Sequence, residues 1–202
     1  MPLRPFDAPS GIGATRRSGR IAQVVDPRVP ACSLVDGFLR PGANPVAAGS
    51  RQRTHWLIGG FGARQGARFT CRSVAQGDAT IVLKASGGTM AAPARCIEVR
   101  YLDAHPGGAV QVVVLDRHED PADPWRALDE PWPLALGDGD SLVAIADETG
   151  GITVVVVTRS GPSWVGSVCL PERHPLRLAG GRVGVRLAPM TGVDNVAGGD
   201  VS

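Results

Sequence analysis

The sequence predicts an all-β fold, a sandwich or barrel built from short antiparallel strands. The 202 residues include 27 glycines and 17 prolines, so a turn-forming residue interrupts the chain about once every five positions. Turn-forming residues at this frequency leave little room for helices. Helical periodicity is confined to a short turn around residues 124–128. Roughly ten to twelve strand-like runs, separated by turns at regular intervals, are what a sandwich or barrel requires.

The centre of the predicted fold is a hairpin within residues 134–159. A Gly/Asp turn at 137–140 leads into an apolar run at 141–146, and a second turn at 147–151 leads into a run of Ile, Val and Thr at 152–158. Two apolar runs joined by a short Gly-rich loop are typical of a β-hairpin. Because both runs are apolar at nearly every position, we expect them to be covered on both faces or to lie in the middle of a sheet.

The remaining strand-like runs extend this pattern to both ends of the chain. Residues 67–73 and 79–85 flank a turn and are predicted to form a second hairpin. Residues 116–133 form a long polar insertion with four prolines. The other predicted strands are 34–39, 55–61, 96–102, 109–115, 164–170, 181–187 and 192–201.

Residues 1–34 are predicted to form an extended arm, followed by one β domain at residues 35–202. Five prolines in this segment oppose regular strand pairing. Residues 1–56 carry eight arginines and three aspartates, a net charge of +5. A basic arm of this kind is suited to docking on an acidic protein surface, with ordinary solvated charge as the alternative. The arginines that would dock are Arg4, Arg16, Arg17 and Arg20.

Composition disfavours several other classes of protein. The arm has neither interleaved aromatic residues nor a dense basic block, which disfavours nucleic-acid binding. The first 20 residues lack the apolar segment of a secretory signal, and no run of about 18 apolar residues could span a membrane. The four cysteines are too widely spaced for a zinc site, so we expect buried free thiols rather than disulfides. They are Cys32, Cys71, Cys96 and Cys169.

Three motifs in order give the chain a resemblance to a known module. Residues 36–40 read DGFLR, residues 139–142 read GDSL, and residues 181–184 read GRVG ahead of an Asp-Asn stretch at 193–199. Over residues 35–201 this resembles the laminin-G-like, concanavalin-A-type jelly-roll module. The resemblance implies a two-sheet antiparallel β-sandwich in which the first and last strands pair, placing residues 36–38 near 194–196.

The same resemblance implies a function. Modules of this kind occur in minor tail, tail-tip and baseplate proteins of bacteriophages. The leading hypothesis is therefore a non-enzymatic structural component of a virion, made in the host cytoplasm, whose arm docks on neighbouring subunits or on a second copy. The alternative hypothesis is a glycan-binding adhesion module that contacts polysaccharide of the host cell envelope.

Motifs for catalysis are missing from the sequence. Glycosidases on this fold place carboxylates at alternate positions of one strand, and Glu98 has no acidic residue at 96 or 100. Ser163 is not part of a nucleophile elbow, since glycine is absent two residues later. We therefore expect a protein that is not an enzyme.

Two places are candidates for a calcium ion, the one cofactor considered. Laminin-G-like modules sometimes bind calcium, and the expected pairing of the terminal strands would bring Asp36 to Asp194. The alternative is that both side chains cap turns. A second cluster offers hard oxygen ligands in the polar insertion, with plain solvation as the alternative. Its members are Asp116, His118, Glu119, Asp120 and Asp123.

Tryptophans are the candidates for a contact surface, because aromatic faces stack on sugar rings. Trp125 and Trp132 lie in the polar insertion, where a long loop tends to be functional, and they are the predicted glycan or partner contacts. The alternative is that they pack the loop onto the domain. Trp56 and Trp164 lie in strand-like runs and are predicted to be in the core. The four histidines, His55, His105, His118 and His174, are predicted to be at the surface.

Overall fold

The structure, a computed structural model, is an all-β sandwich of two antiparallel sheets, as the sequence predicts. It describes residues 33–35, 38–40, 53–57, 60–73, 78–89, 92–103, 106–188 and 191–201. The predicted arm at residues 1–34 lies outside this part of the chain except for its last two residues, which belong to the first strand. The described residues contain no helix that is long and apolar enough to cross a membrane.

Fourteen strands occur in the described residues, most of them at positions that the turn pattern predicts. They are β1 (Ser33–Val35), β2 (Phe38–Arg40), β3 (Arg53–Trp56), β4 (Gln65–Ser73), β5 (Ala79–Ser86), β6 (Arg95–Leu102), β7 (Ala109–Asp116), β8 (Trp125–Ala127), β9 (Trp132–Pro133), β10 (Ser141–Ala146), β11 (Gly151–Thr158), β12 (Gly161–Cys169), β13 (Arg182–Leu187) and β14 (Gly192–Asp200).

The strands divide into two seven-stranded sheets. Sheet one has the order β1-β2-β14-β4-β10-β11-β12, and sheet two has the order β3-β13-β5-β6-β7-β8 with β9 also paired to β7. Some neighbouring strands come from distant parts of the sequence, as when β14 lies between β2 and β4 and β13 lies between β3 and β5, which is characteristic of a jelly roll. In sheet one, β12 is at the end of the order, next to β11.

The core lies between the sheets and follows from the period-two alternation of side chains. In β4, Ala67, Phe69 and Cys71 point inward, and in β11 Ile152, Val154 and Val156 do so. Each fully buried Val, Leu, Ile or Phe contributes roughly 1.5–3 kcal/mol of transfer free energy. Residues 66, 68, 70 and 72 of β4 therefore face outward, as do residues 153, 155 and 157 of β11.

The predicted central hairpin is confirmed. Strands β10 and β11 pair antiparallel with Val143 opposite Val155, and both lie inside sheet one. Of the two expected alternatives, a place in the middle of a sheet is confirmed for both runs, whereas cover on both faces does not hold for β11, where burial alternates along the strand. One face of this apolar strand is therefore open to solvent.

The predicted pairing of the terminal strands is also confirmed. β2 pairs with β14, with Leu39 opposite Val193. The single run predicted at 34–39 is in fact two strands, β1 and β2, which pair with each other as a hairpin. Asp36 lies outside the described residues.

Two local predictions are wrong. Strands β4 and β5 do not form a hairpin, because β4 pairs with β10 and β14 while β5 pairs with β13 and β6 in the other sheet. A short connection in a sandwich can cross between layers as well as turn within one. The turn around residues 124–128 is not helical: β8 pairs there with β7, which supplies partners for its backbone groups.

A second apolar cluster lies on the outer face of sheet two. Trp56 is 1% exposed within it, which confirms the prediction that this residue is in a core. Val82, Ala85, Cys96 and Leu115 complete the buried cluster, and Trp125 packs against it. Beside the cluster, the fully buried Glu98 forms ion pairs with Arg100 and Arg186.

The cysteines depart in part from expectation. Cys71, Cys96 and Cys169 are free thiols, as predicted, while Cys32 lies outside the described residues. Burial raises the pKa of Cys71 to about 12, and the nearby Asp140 carboxylate adds to the rise. Burial likewise raises the pKa of Cys96. Cys169 is exposed, so the prediction of burial is wrong there, because β12 is at the end of its sheet's order.

Candidate functional site

The outer face of sheet one carries an exposed tryptophan. Trp164 of β12 is 69% exposed, so its predicted place in the core is wrong. The reason is a β-bulge: Val154 pairs with Gly166 but Val155 pairs with Trp164, so Val165 is an extra residue in β12. In unbroken register, Trp164 would lie opposite the inward-facing Val156. One inserted residue turns the indole from the core to the solvent.

Trp164 stands at the end of a row of side chains that crosses four strands. The row runs from Arg68 of β4 through Val143 and Val155 to Trp164, each opposite the next in register. With about 4.8 Å between strands, the row is roughly 14 Å long. We name the surface formed by Arg68, Val155, Val157 and Trp164, with the buried Val143 beneath it, the Trp164 face. Val157 is 37% exposed, so the apolar part is not limited to the indole.

Hydroxyl groups border the Trp164 face on two sides. On one side the Thr70 and Ser141 hydroxyl oxygens are 2.7 Å apart across β4 and β10. On the other side the Thr153 and Ser167 hydroxyl oxygens are 3.4 Å apart across β11 and β12. A hydroxyl both donates and accepts, so Ser141, Thr153 and Ser167, which are at least partly exposed, can bond to a ligand and keep these contacts. The surface thus combines an apolar strip with polar groups along its edges.

Arg68 is distinctive among the charged groups of this face. Its Nε is buried and has no hydrogen-bond partner among the described residues. Arg72, four positions along the same strand and on the same face, instead donates from Nη2 to the Asp194 carboxylate at 3.1 Å. Asp194 also accepts from the backbone N–H of Asn195.

The two tryptophans predicted as contacts are both half-buried. Trp125 lies on β8 opposite Leu115, and the Arg100 guanidinium lies 4.4 Å from its ring centroid. Trp132 of β9 packs against the core, on the inner side of Gly166. The polar insertion that contains them is not a free loop, because β8 and β9 pair with β7. A contact role for either residue stays a prediction.

A cleft at one end of the sandwich gathers part of the predicted acidic cluster. It has a volume of about 390 Å³ and is lined by Asp116, Glu119, Trp125 and His174, among others. Ligand-type atoms of Asp116, Glu119 and His174 lie within 4.8 Å of one another. His118 is exposed, as predicted, whereas His174 is half-buried in the cleft, so its predicted place at the surface is only partly correct.

The side chains of Asp116 and His174 in this cleft already make hydrogen bonds within the protein. One Asp116 oxygen accepts from the backbone N–H groups of His118 and Glu119, and the other accepts from Arg95. Burial alone would raise the pKa of Asp116, but these hydrogen bonds outweigh it and lower the pKa. Nδ1 of His174 accepts from the backbone N–H of Leu176, which places the proton of the neutral ring on Nε2. A metal ion would have to displace that arrangement, and calcium here stays a prediction.

The other predicted site residues cannot be placed. Arg4, Arg16, Arg17 and Arg20 of the arm lie outside the described residues, as do Asp36, His105 and the side chain of His55. The docking role of the arm and a calcium ion between Asp36 and Asp194 therefore stay predictions. Of the residues on the Trp164 face, sequence reasoning identified none as functional. One local feature of the sequence indicated the bulge: Gly166 lies inside an apolar strand, and a glycine in a strand is often found at a bulge.

Comparison with known proteins found solved structures that resemble this chain in fold. No protein-family model matches the sequence. No curated protein matches it either. Among solved structures, the carbohydrate-binding module CBM66 of Bacillus subtilis is 9% identical, with 74% of this chain and 82% of that chain covered and a TM-score of 0.49. Sheep galectin-11 is 14% identical, with 75% and 99% covered and a TM-score of 0.43. An alginate lyase of Pseudomonas aeruginosa is 14% identical, with 77% of both chains covered and a TM-score of 0.44.

Proposed function

We propose that this protein is a non-enzymatic carbohydrate-binding module whose glycan lies on the Trp164 face. The observation that carries the proposal is the indole of Trp164, 69% exposed on a regular sheet face and turned there by a bulge. Large exposed apolar side chains with neighbouring apolar residues mark interaction sites. Bulges recur next to functional sites because they re-aim a side chain.

The chemistry of the face suits a sugar. A pyranose ring has an apolar face of C–H groups that stacks on an aromatic ring and an equatorial rim of hydroxyls that needs polar partners. Trp164 provides the aromatic ring for stacking, and Val155 and Val157 extend the apolar surface. The hydroxyls of Ser141, Thr153 and Ser167 are placed to meet the need for polar partners, and Ser141 is bonded to the buried Thr70.

The support for the face is rigid, which favours binding. β4, β10 and β11 are all paired on both sides, so the row from Arg68 to Trp164 is fixed by backbone hydrogen bonds. A preformed surface loses little conformational entropy when a ligand binds. A row of about 14 Å across four strands accommodates a short oligosaccharide rather than a single ring. Polysaccharide of a cell envelope is the partner that we propose.

Assembly into a virion rests on other residues. The arm that would dock on neighbours, residues 1–34, carries four of the predicted contacts, and they lie outside the described residues. Virion assembly therefore stays a prediction, separate from the proposal for the Trp164 face.

A binding screen tests the proposed function. The full chain would be titrated against a panel of neutral and acidic plant, algal and bacterial envelope polysaccharides, by affinity electrophoresis and then calorimetry. We expect saturable binding to at least one, weakened about tenfold or more by Trp164→Ala, since an aromatic contact contributes about 1 kcal/mol or more beyond its area. Leu178→Ala is the matched control, because it removes an exposed apolar residue, 79% exposed, outside this face.

Two results would contradict the proposal. One is the absence of binding to every polysaccharide in the panel. The other is binding that Trp164→Ala leaves as tight as in the wild-type protein, which would place the ligand elsewhere on the molecule.

A further inference from the structure

The unpartnered arginine at the far end of the Trp164 face points to the class of glycan. Nε of Arg68 is buried and makes no hydrogen bond within the described residues. Buried polar groups in native proteins nearly always have a partner, so an orphaned donor of a charged group calls for an explanation. Nε itself is enclosed by the protein, so a ligand would accept from the two Nη groups, and Arg68 forms no ion pair within the described residues either.

The register partners of Arg68 offer no carboxylate. Its partners in register are Val143 on β10 and Ala197 on β14, whose side chains have no acceptor. The nearest outward residue along β4, Thr70, is bonded to Ser141. Arg72 on the same strand has Asp194 as its counter-ion. Arg95 and Arg100, in sheet two, are likewise paired with Asp116 and Glu98.

The position of Arg68 relative to Trp164 defines where the missing acceptor would lie. Both residues belong to one row, about 14 Å apart along the sheet with Val143 and Val155 between them. A glycan chain that stacks on Trp164 and follows this row reaches Arg68 within a few sugar rings. The valines keep the floor of the row apolar, and a charge pair above such a floor is less screened than one in bulk water.

We propose that the Trp164 face selects acidic glycans, with Arg68 binding the carboxylate of a uronic acid. The inference rests on the proposed function. A planar guanidinium matches a carboxylate with two parallel N–H···O bonds and so recognises its shape as well as its charge. Trp164 then supplies affinity for the chain, and Arg68 distinguishes acidic polymers from neutral polymers of the same linkage.

The test compares each acidic polymer with its neutral counterpart. Polygalacturonate, alginate and hyaluronan would each be titrated into the full chain beside the same polymer after chemical reduction of its carboxyl groups. We expect at least one acidic polymer to bind the wild-type protein about tenfold or more tighter than its reduced form. Arg68→Gln should bring the two forms to within about twofold, and Trp164→Ala should weaken both.

Arg72→Gln is the matched control, because it removes the same charge from the same strand and face at a position already paired with Asp194. It should leave most of the preference for the acidic form in place. The inference is overturned if the wild-type protein does not distinguish acidic from reduced polymers, if Arg68→Gln retains the preference, or if none of these polymers binds in either form. Binding to neutral glycans that depends on Trp164 would still support the proposed function in each of these cases.

Discussion

Single buried polar residues fix the loops of this sandwich. Lys84, the only lysine in the sequence, is fully buried and adopts a φ of 53°, which is unusual for a residue other than glycine. Its Nζ donates to the carbonyl oxygens of Asp147, Leu176 and Arg177 at 2.8–2.9 Å. Burial lowers the pKa of Lys84, while the nearby Asp147 opposes the shift. One side chain thus ties β5 to two separate loops.

Removing this donor should destabilise the protein strongly. We expect Lys84→Met to lower the free energy of unfolding by about 3 kcal/mol or more, because one buried and two partly buried carbonyls lose a charged partner. Urea denaturation would measure the loss. Arg159→Met, which removes an exposed cation, should change the free energy by less than about 0.5 kcal/mol. A loss below about 1 kcal/mol for Lys84→Met would show that the carbonyls find other partners.

At the scale of elements, the sequence predicted what depends on local pattern. Turn residues and apolar runs located most strands, and the hairpin β10–β11 has the expected turn at 147–151. The local pattern did not predict that β4 and β5 lie in different sheets. That separation is decided by the pairing of β4 with β14 and of β5 with β13, which are distant in sequence. Nor did the local pattern predict the bulge at Val165, which reverses the direction of Trp164. The candidate site depends on that bulge, so the sequence could supply its residue types but not their grouping.

The contact between β9 and β12 gives a second prediction. A Cβ at Gly166 would lie 2.5 Å from Cδ2 of the Trp132 ring, too close for the present packing. We therefore expect Gly166→Ala to destabilise the protein by about 1–3 kcal/mol, through overpacking. Trp132→Ala removes the ring. In that background, Gly166→Ala should lower the free energy of unfolding much less than it does in the wild-type protein. Thermal melts of the wild type, the two single variants and the double variant give the comparison. If the losses of stability in the single variants add up in the double variant, the result would argue against this contact.

At the scale of the whole molecule, stability should depend on pH through Asp116 and His174 of the cleft and through Asp147 of the turn between β10 and β11. Burial lowers the pKa of His174, whose Nδ1 must be unprotonated to accept from Leu176. Asp116 and Asp147 also have lowered pKa values, because hydrogen bonds to each carboxylate outweigh the effect of burial. For all three groups the unfolded chain binds a proton more readily than the folded chain. Their contribution to stability is therefore present above the unfolded pKa and lost on acidification.

Acidification should accordingly lower the melting temperature in two stages. We expect a first decrease as the pH falls below about 6.5, from His174, and a second below about 4, from the aspartates. His174→Asn, whose side-chain oxygen can still accept from Leu176, should remove most of the first decrease. Differential scanning fluorimetry between pH 7.5 and pH 3 measures both stages. An unchanged first stage in His174→Asn would assign it to another group.

The central claim, that a glycan stacks on Trp164, is tested most directly by nuclear magnetic resonance. Indole N–H signals of ¹⁵N-labelled protein, assigned by single substitution of each tryptophan, would be followed while the best oligosaccharide from the binding screen is added. We predict that the Trp164 signal shifts saturably, while that of Trp132, packed against the core, changes little. A Trp164 signal that stays in place while those of Trp125 or Trp132 move with binding would contradict the account.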